Sequence, residues 1–192
     1  MINILEREYI LKRYIIAAVS LTAASLVAAT VALGAIKTNP IEICHIPAVM
    51  VDDSDISNNL PTRNNNPGNI RKTGHTYLGE TDTNDAYETF ADVSWGFAAM
   101  FDLLERKYSG KTINEAISIY APDFENDTNG YVKFIGDRTG FDVDAVKINV
   151  FNLPTIIPIV EAMARMEGGK NWTMEDLYLG WIRWAGCSLP AR

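Results

Sequence analysis

VSWGFAAMFDLLERK, residues 93–107, places Phe97, Met100, Phe101 and Leu104 three and four positions apart. That is the spacing of one buried helix face, and Gly110 marks where the helix must have closed. The chain beyond keeps this texture. Thr112 with Glu115 forms a capping box ahead of a stripe of Ile113, Ala116, Ile117 and Tyr120, which Pro122 stops. Asn126 or Asp127 caps a helix running to about Arg138 and ended by Gly140. A further helix is expected over Thr155–Glu167, with Pro158 tolerated in its first turn and Gly168-Gly169 at its end. Thr173 and Asp176 open a last one through Trp184.

Working back towards the N-terminus, residues 62–90 read TRNNNPGNIRKTGHTYLGETDTNDAYETF. Asn, Gly, Thr and Asp dominate, with short extended pieces expected at Asn69–Lys72 and Ala86–Phe90 between turns. The expected fold class is therefore mainly α (α+β), helices with a small β region. Residues 37–61 lack sustained periodicity and read as a linker or stalk, which leaves 62–192 as the folded domain.

Residues 14–36 carry no charge, and 23 helical residues reach roughly 34 Å against a hydrocarbon core of ~30 Å. Arg7, Lys12 and Arg13 precede the stretch, and only Lys37 follows it before Arg63. The positive-inside bias then makes 1–13 a cytoplasmic N-terminus, 14–36 a transmembrane helix seated in the lipid bilayer, and the remainder external. A cleaved signal peptide, with small residues near Gly34 and Ala35, is the competing reading. Eight alanines, two serines, two threonines and a glycine make the span only weakly apolar. It resembles the signal-arrest-release helices of some phage lysins, which leave the bilayer when it depolarises. Cys44 and Cys187 would be permitted to pair outside the cytoplasm, and equally read as two separate thiols.

A net charge of −7 excludes nucleic acid as a partner, because phosphate binding needs a cationic face. His45 and His75 are the only histidines, too few for a zinc site of three protein ligands including His. No nucleophile elbow, phosphate loop or dinucleotide fingerprint occurs, and no metal or organic cofactor is implied. What remains is carboxylates, amides and aromatic rings, a set that suits carbohydrate. Glycoside cleavage needs a carboxylic acid to protonate the leaving oxygen, often with a second carboxylate nearby.

The string Thr62-Arg-Asn-Asn-Asn-Pro-Gly-Asn-Ile-Arg71 changes the weight of these options. Followed by Phe90, a helix holding Gly96, and Tyr120-Ala-Pro-Asp-Phe-Glu-Asn-Asp-Thr128 with Tyr131, it resembles a family of bacteriophage and prophage virion proteins over about 62–168. That family is in turn similar to lysozyme-like glucosaminidases and lytic transglycosylases. The resemblance implies a lysozyme-like domain, peptidoglycan as substrate and virion proteins as partners. One departure matters: those enzymes carry their acid at a helix end just before the Asn-Asn segment, where this chain has SDISNNLPTR, with no glutamate and no helix expected. Ala164-Arg-Met-Glu167-Gly-Gly has the helix–Glu–x–Gly character instead, which points to a permuted arrangement with Glu167 as the acid.

The candidate catalytic residues are thus Glu167, Glu125 and Glu80, with Glu88 behind them. The candidate substrate-binding residues are Asn65, Asn66, Asn69, Arg71, Tyr120, Asp127 and Tyr131. Helix capping by Asp127 and turn formation by the asparagines are the plain structural readings of those residues. The expected function is a membrane-anchored phage peptidoglycan hydrolase of muramidase, glucosaminidase or lytic transglycosylase type. A non-catalytic virion or membrane protein with the same fold, and a glycan-binding module, remain open beside it.

Overall fold

A computed structural model describes residues 59–81 and 86–186. Residues 59–181 belong to one compact unit; residues 182–186 fall to a second, of which the described part is helix. The elements are α1 (Leu60–Arg63), α2 (Val93–Leu103), a π-helical segment (Leu104–Tyr108), α3 (Ile113–Tyr120), α4 (Thr128–Thr139), α5 (Leu153–Met166) and α6 (Met174–Gly186).

Helices α1 to α4 begin where a side chain satisfies free N–H groups, whereas α5 has no side-chain cap. The Asp92 carboxylate accepts from Ser94 N and Trp95 N ahead of α2. Thr112 and Glu115 form the full capping box of α3, and Asp127 accepts from Gly130 N ahead of α4. Gly140, at φ +72°, closes α4 in the left-handed conformation that glycine adopts without a Cβ penalty. Helix α5 starts at Leu153, two residues earlier than expected, so Pro154 occupies its first turn and Pro158 lies inside it. Its stripe of Ile156, Ile159, Val160 and Met163 is buried, and α4 packs against it. Phe97 and Phe101 of α2 complete the core with Ile113 and Ile117 of α3 and Leu177 of α6.

The expected α+β architecture is corrected: the described residues form helices and no strand. The region expected to be extended contributes only two isolated antiparallel bridges, Arg71 to Tyr87 and Glu80 to Phe90, while Thr112 to Lys147 makes a third elsewhere. Asparagine chemistry is the reason. The side chain of Asn66 accepts from Ile70 N at 2.9 Å and donates to Ile70 O at 3.0 Å and Glu88 O at 2.9 Å. A side chain thereby occupies backbone groups that a ladder would have used. Asn69, at φ +47°, then turns the chain out of extension.

The expected single-pass membrane protein is corrected as well: among the described residues no helix is long and apolar enough to cross a membrane. Helix α5, with 14 residues, spans roughly 21 Å and carries Glu161 and Arg165. The apolar stretch 14–36, most of the linker, Cys44 and Cys187 lie outside the described residues. The SDISNNLPTR segment also departs from expectation. It ends in the one-turn helix α1, capped by Asn59, whose side chain accepts from Thr62 N at 3.1 Å.

Candidate functional site

The Asn-rich string works first as a clamp. Asn59 Nδ2 donates to Gly168 O at 2.5 Å, Lys170 N donates to Thr62 Oγ1 at 3.2 Å, and Asn171 Nδ2 donates to Asn65 Oδ1 at 3.0 Å. Segment 59–65 is thereby tied to the loop after α5, about a hundred residues along the chain. Asn65 also donates to Phe90 O at 3.1 Å. Gly96 of α2 sits against Asn65 O and the Pro67 ring, closely enough that a Cβ there would collide with both. The clamp holds the C-terminal end of α5, and therefore Glu167, against the turn at 66–69.

Beside that turn lies a cavity of about 270 Å³, lined by Gly68 to Arg71 and Thr73, by Tyr77 and Tyr87, by Leu103, Lys107 and Tyr108, by Tyr120 and Ala121, and by Glu125, Asn126 and Glu167. Its chemistry is aromatic and amide, with charges at few places. Tyr108, Tyr120 and Tyr131 stack edge to face in series, with centroids 6.2 and 6.3 Å apart. The Tyr120 hydroxyl donates to Gly68 O. Burial first, and the neighbouring Glu167 second, push the Tyr120 phenol well above its ordinary range, so it acts as a neutral donor.

Glu167 closes α5 as its C-cap and faces the cavity half-buried. Tyr131 Oη donates to its Oε1 at 3.0 Å, and the Asn69 side chain supplies a second hydrogen bond. Burial raises the carboxyl above the ordinary glutamate range, and the two hydrogen bonds oppose part of that rise by favouring the carboxylate. The result is a carboxyl biased by burial towards its acid form, with two donors ready to receive the charge left when a proton goes.

Glu125 shares the cavity and differs in every respect. It sits on the α3–α4 loop, exposed, and its Oε2 meets Arg71 Nη2 at 2.8 Å. The Arg71 guanidinium lies 5.7 Å from the Tyr87 ring centroid, so the pair and the ring form one wall.

The candidates thus divide. The structure brings together Glu167, Glu125, Asn69, Arg71 and Tyr120 on the cavity, with Tyr131 behind Glu167. It does not place Asn65, Asn66, Asp127 or Glu80 there. Asn65 and Asn66 hold backbone, and Asp127 caps α4. Glu80 accepts from Tyr77 N at 2.7 Å and so holds a turn. Glu88 is buried, raised above the ordinary glutamate range by burial and then by Glu80, and is absent from the cavity lining. Lys107, Tyr108 and Tyr87 line the cavity without having been singled out beforehand; a π-helical segment, which often marks functional positions, carries the first two. No cluster suited to a metal ion occurs among the described residues.

No family model matches the chain. Protein P5 of Pseudoalteromonas phage PM2 is 33% identical to it over 127 residues, which cover 62% of this chain and 77% of that protein.

Proposed function

The chain belongs to the family of Protein P5 of Pseudoalteromonas phage PM2, and from that premise and the cavity we propose a phage protein that cleaves the glycan strand of peptidoglycan. The state of Glu167 carries this reading. Glycoside cleavage requires a carboxyl that is still protonated when the substrate arrives and can bear charge after giving its proton to the leaving oxygen. Burial biases Glu167 towards the first condition, and the hydrogen bonds from Tyr131 and Asn69 favour the second. The tyrosine rings offer flat apolar faces to sugar rings, and the Asn126 side chain offers donors and an acceptor to hydroxyl and acetamido groups. Glu125, ion-paired with Arg71 on the same lining, stands as the second carboxylate.

A second reading has its own support. Of the two carboxyls on the lining, Glu125 is committed to an ion pair with Arg71, which leaves Glu167 alone for acid–base work, and the family is a phage family. A non-catalytic virion protein that binds glycan through the same cavity would also fit, with other virion proteins as its partners. A zymogram of the purified full-length chain on embedded peptidoglycan separates the two. Clearing supports the enzyme. Retention on walls without clearing supports the binding protein.

A further inference from the structure

The cations near the cavity are nearly all spoken for. Arg71 pairs with Glu125, and Arg106 binds Asp102 at 2.7 Å and the Tyr77 hydroxyl at 3.1 Å. Lys107 lines the same cavity, and its side chain makes no ion pair or hydrogen bond among the described residues. The lining thus holds two cations, Arg71 and Lys107, and with Arg71 committed to Glu125 the Lys107 ammonium is the one left without an ion-pair partner among the described residues. A cavity built only for a neutral sugar polymer has no use for that ammonium, which lies exposed on the same lining as the tyrosines.

We propose that Lys107 is a specificity-determining residue that pairs with a carboxylate carried by the substrate, so that the cavity selects anionic, carboxylate-bearing amino-sugar strands over neutral ones. The inference rests on the glycan reading above and adds to it which sugars are recognised. Two sources of carboxylate exist on such a strand: the acid group of a lactyl ether on the sugar, and the acid groups of a peptide attached through it. The shared chemistry is one carboxylate within reach of an exposed ammonium. Because Lys107 is exposed, the contribution belongs to the range of surface ion pairs and is screened by salt.

The test uses the full-length chain carrying Glu167→Gln, so that binding is read without turnover. Its affinity is measured by calorimetry for three oligosaccharides of equal sugar number: a neutral N-acetylglucosamine oligomer, a peptidoglycan strand stripped of peptide with free lactyl acids, and the same strand with peptide retained. The expected result is about fivefold tighter binding of at least one carboxylate-bearing strand at low salt, lost in 0.5 M salt. Which strand shows the preference identifies the source. Adding Lys107→Gln abolishes the preference, and adding Lys107→Arg preserves it. Equal affinity for all three strands, no binding of any, or a preference that survives Lys107→Gln would overturn the inference. Failure of the glycosidase reading is seen separately, as no product from peptidoglycan with the unsubstituted chain, and a preference that persists in that case leaves this inference standing.

Discussion

Glu167 and Glu125 look into one cavity from opposite kinds of support. The first ends a 14-residue helix whose inner stripe is buried, and its neighbours are a phenol and an amide. The second lies on an exposed loop and faces a guanidinium at 2.8 Å. Identical side chains thus meet different surroundings. Burial without a counter-charge raises Glu167 above the ordinary glutamate range, whereas Glu125 lies exposed in an ion pair. The cavity joins a buried carboxyl biased towards its acid form to one held by a guanidinium.

The comparison is broken most severely at Asn66. Its side chain satisfies two backbone acceptors and one donor in the turn that carries Asn69 to Glu167. Replacing it by alanine takes the side-chain partner from Ile70 N and Glu88 O, while Ile70 O keeps Glu88 N, and we expect a loss of about 2–4 kcal/mol in urea unfolding. Asn65→Ala, which removes the bonds to Phe90 O and Asn171, should cost less than Asn66→Ala in the same assay.

Tyr131→Phe sharpens the comparison from the Glu167 side. The lost hydrogen bond favoured the carboxylate, so its removal raises the Glu167 pKa further. The alkaline limb of the pH–rate profile on purified peptidoglycan should therefore move to higher pH, whereas Arg71→Gln should leave that limb in place.

Stability carries the same signature. A carboxyl raised in the folded state contributes stability that is full below its unfolded pKa of about 4.3 and is lost as pH rises through the folded value. Glu167→Gln escapes that loss. Its Tm should exceed that of the unsubstituted chain near neutral pH, with the gap closing as the pH falls towards 4 by differential scanning calorimetry. Arg71→Gln is the smallest perturbation. The Arg71–Glu125 pair is largely exposed, so its removal should cost less than about 1 kcal/mol of stability.

What could be read beforehand was local. The capping box of Thr112 and Glu115, the Asp127 cap and the Gly140 terminator are decided within a few residues, and the structure has them where spacing puts them. The end of α5 at Glu167 was equally legible, since Gly168-Gly169 follows it. The Asn-rich segment was misjudged because its partners are remote or unusual. Asn59 reaches Gly168 and Asn65 reaches Asn171, contacts that no spacing rule anticipates. Asn66 competes with the backbone for its own hydrogen bonds, which turned an expected β region into isolated bridges. Lys107 went unnoticed for a different reason. A lysine at the end of an amphipathic helix reads as a solvated residue, and only the fold shows that its side of the π segment is a cavity wall.

The most direct test sets the two carboxyls against each other. Soluble fragments released from purified peptidoglycan are measured for the full-length chain, for Glu167→Gln and for Glu125→Gln, with mass spectrometry of the cleaved ends. We expect Glu167→Gln to lower the rate by roughly 10²–10⁴-fold, as loss of a general acid does, and Glu125→Gln to lower it by less than about tenfold. Undiminished release by Glu167→Gln would contradict the assignment, as would a larger loss from Glu125→Gln than from Glu167→Gln.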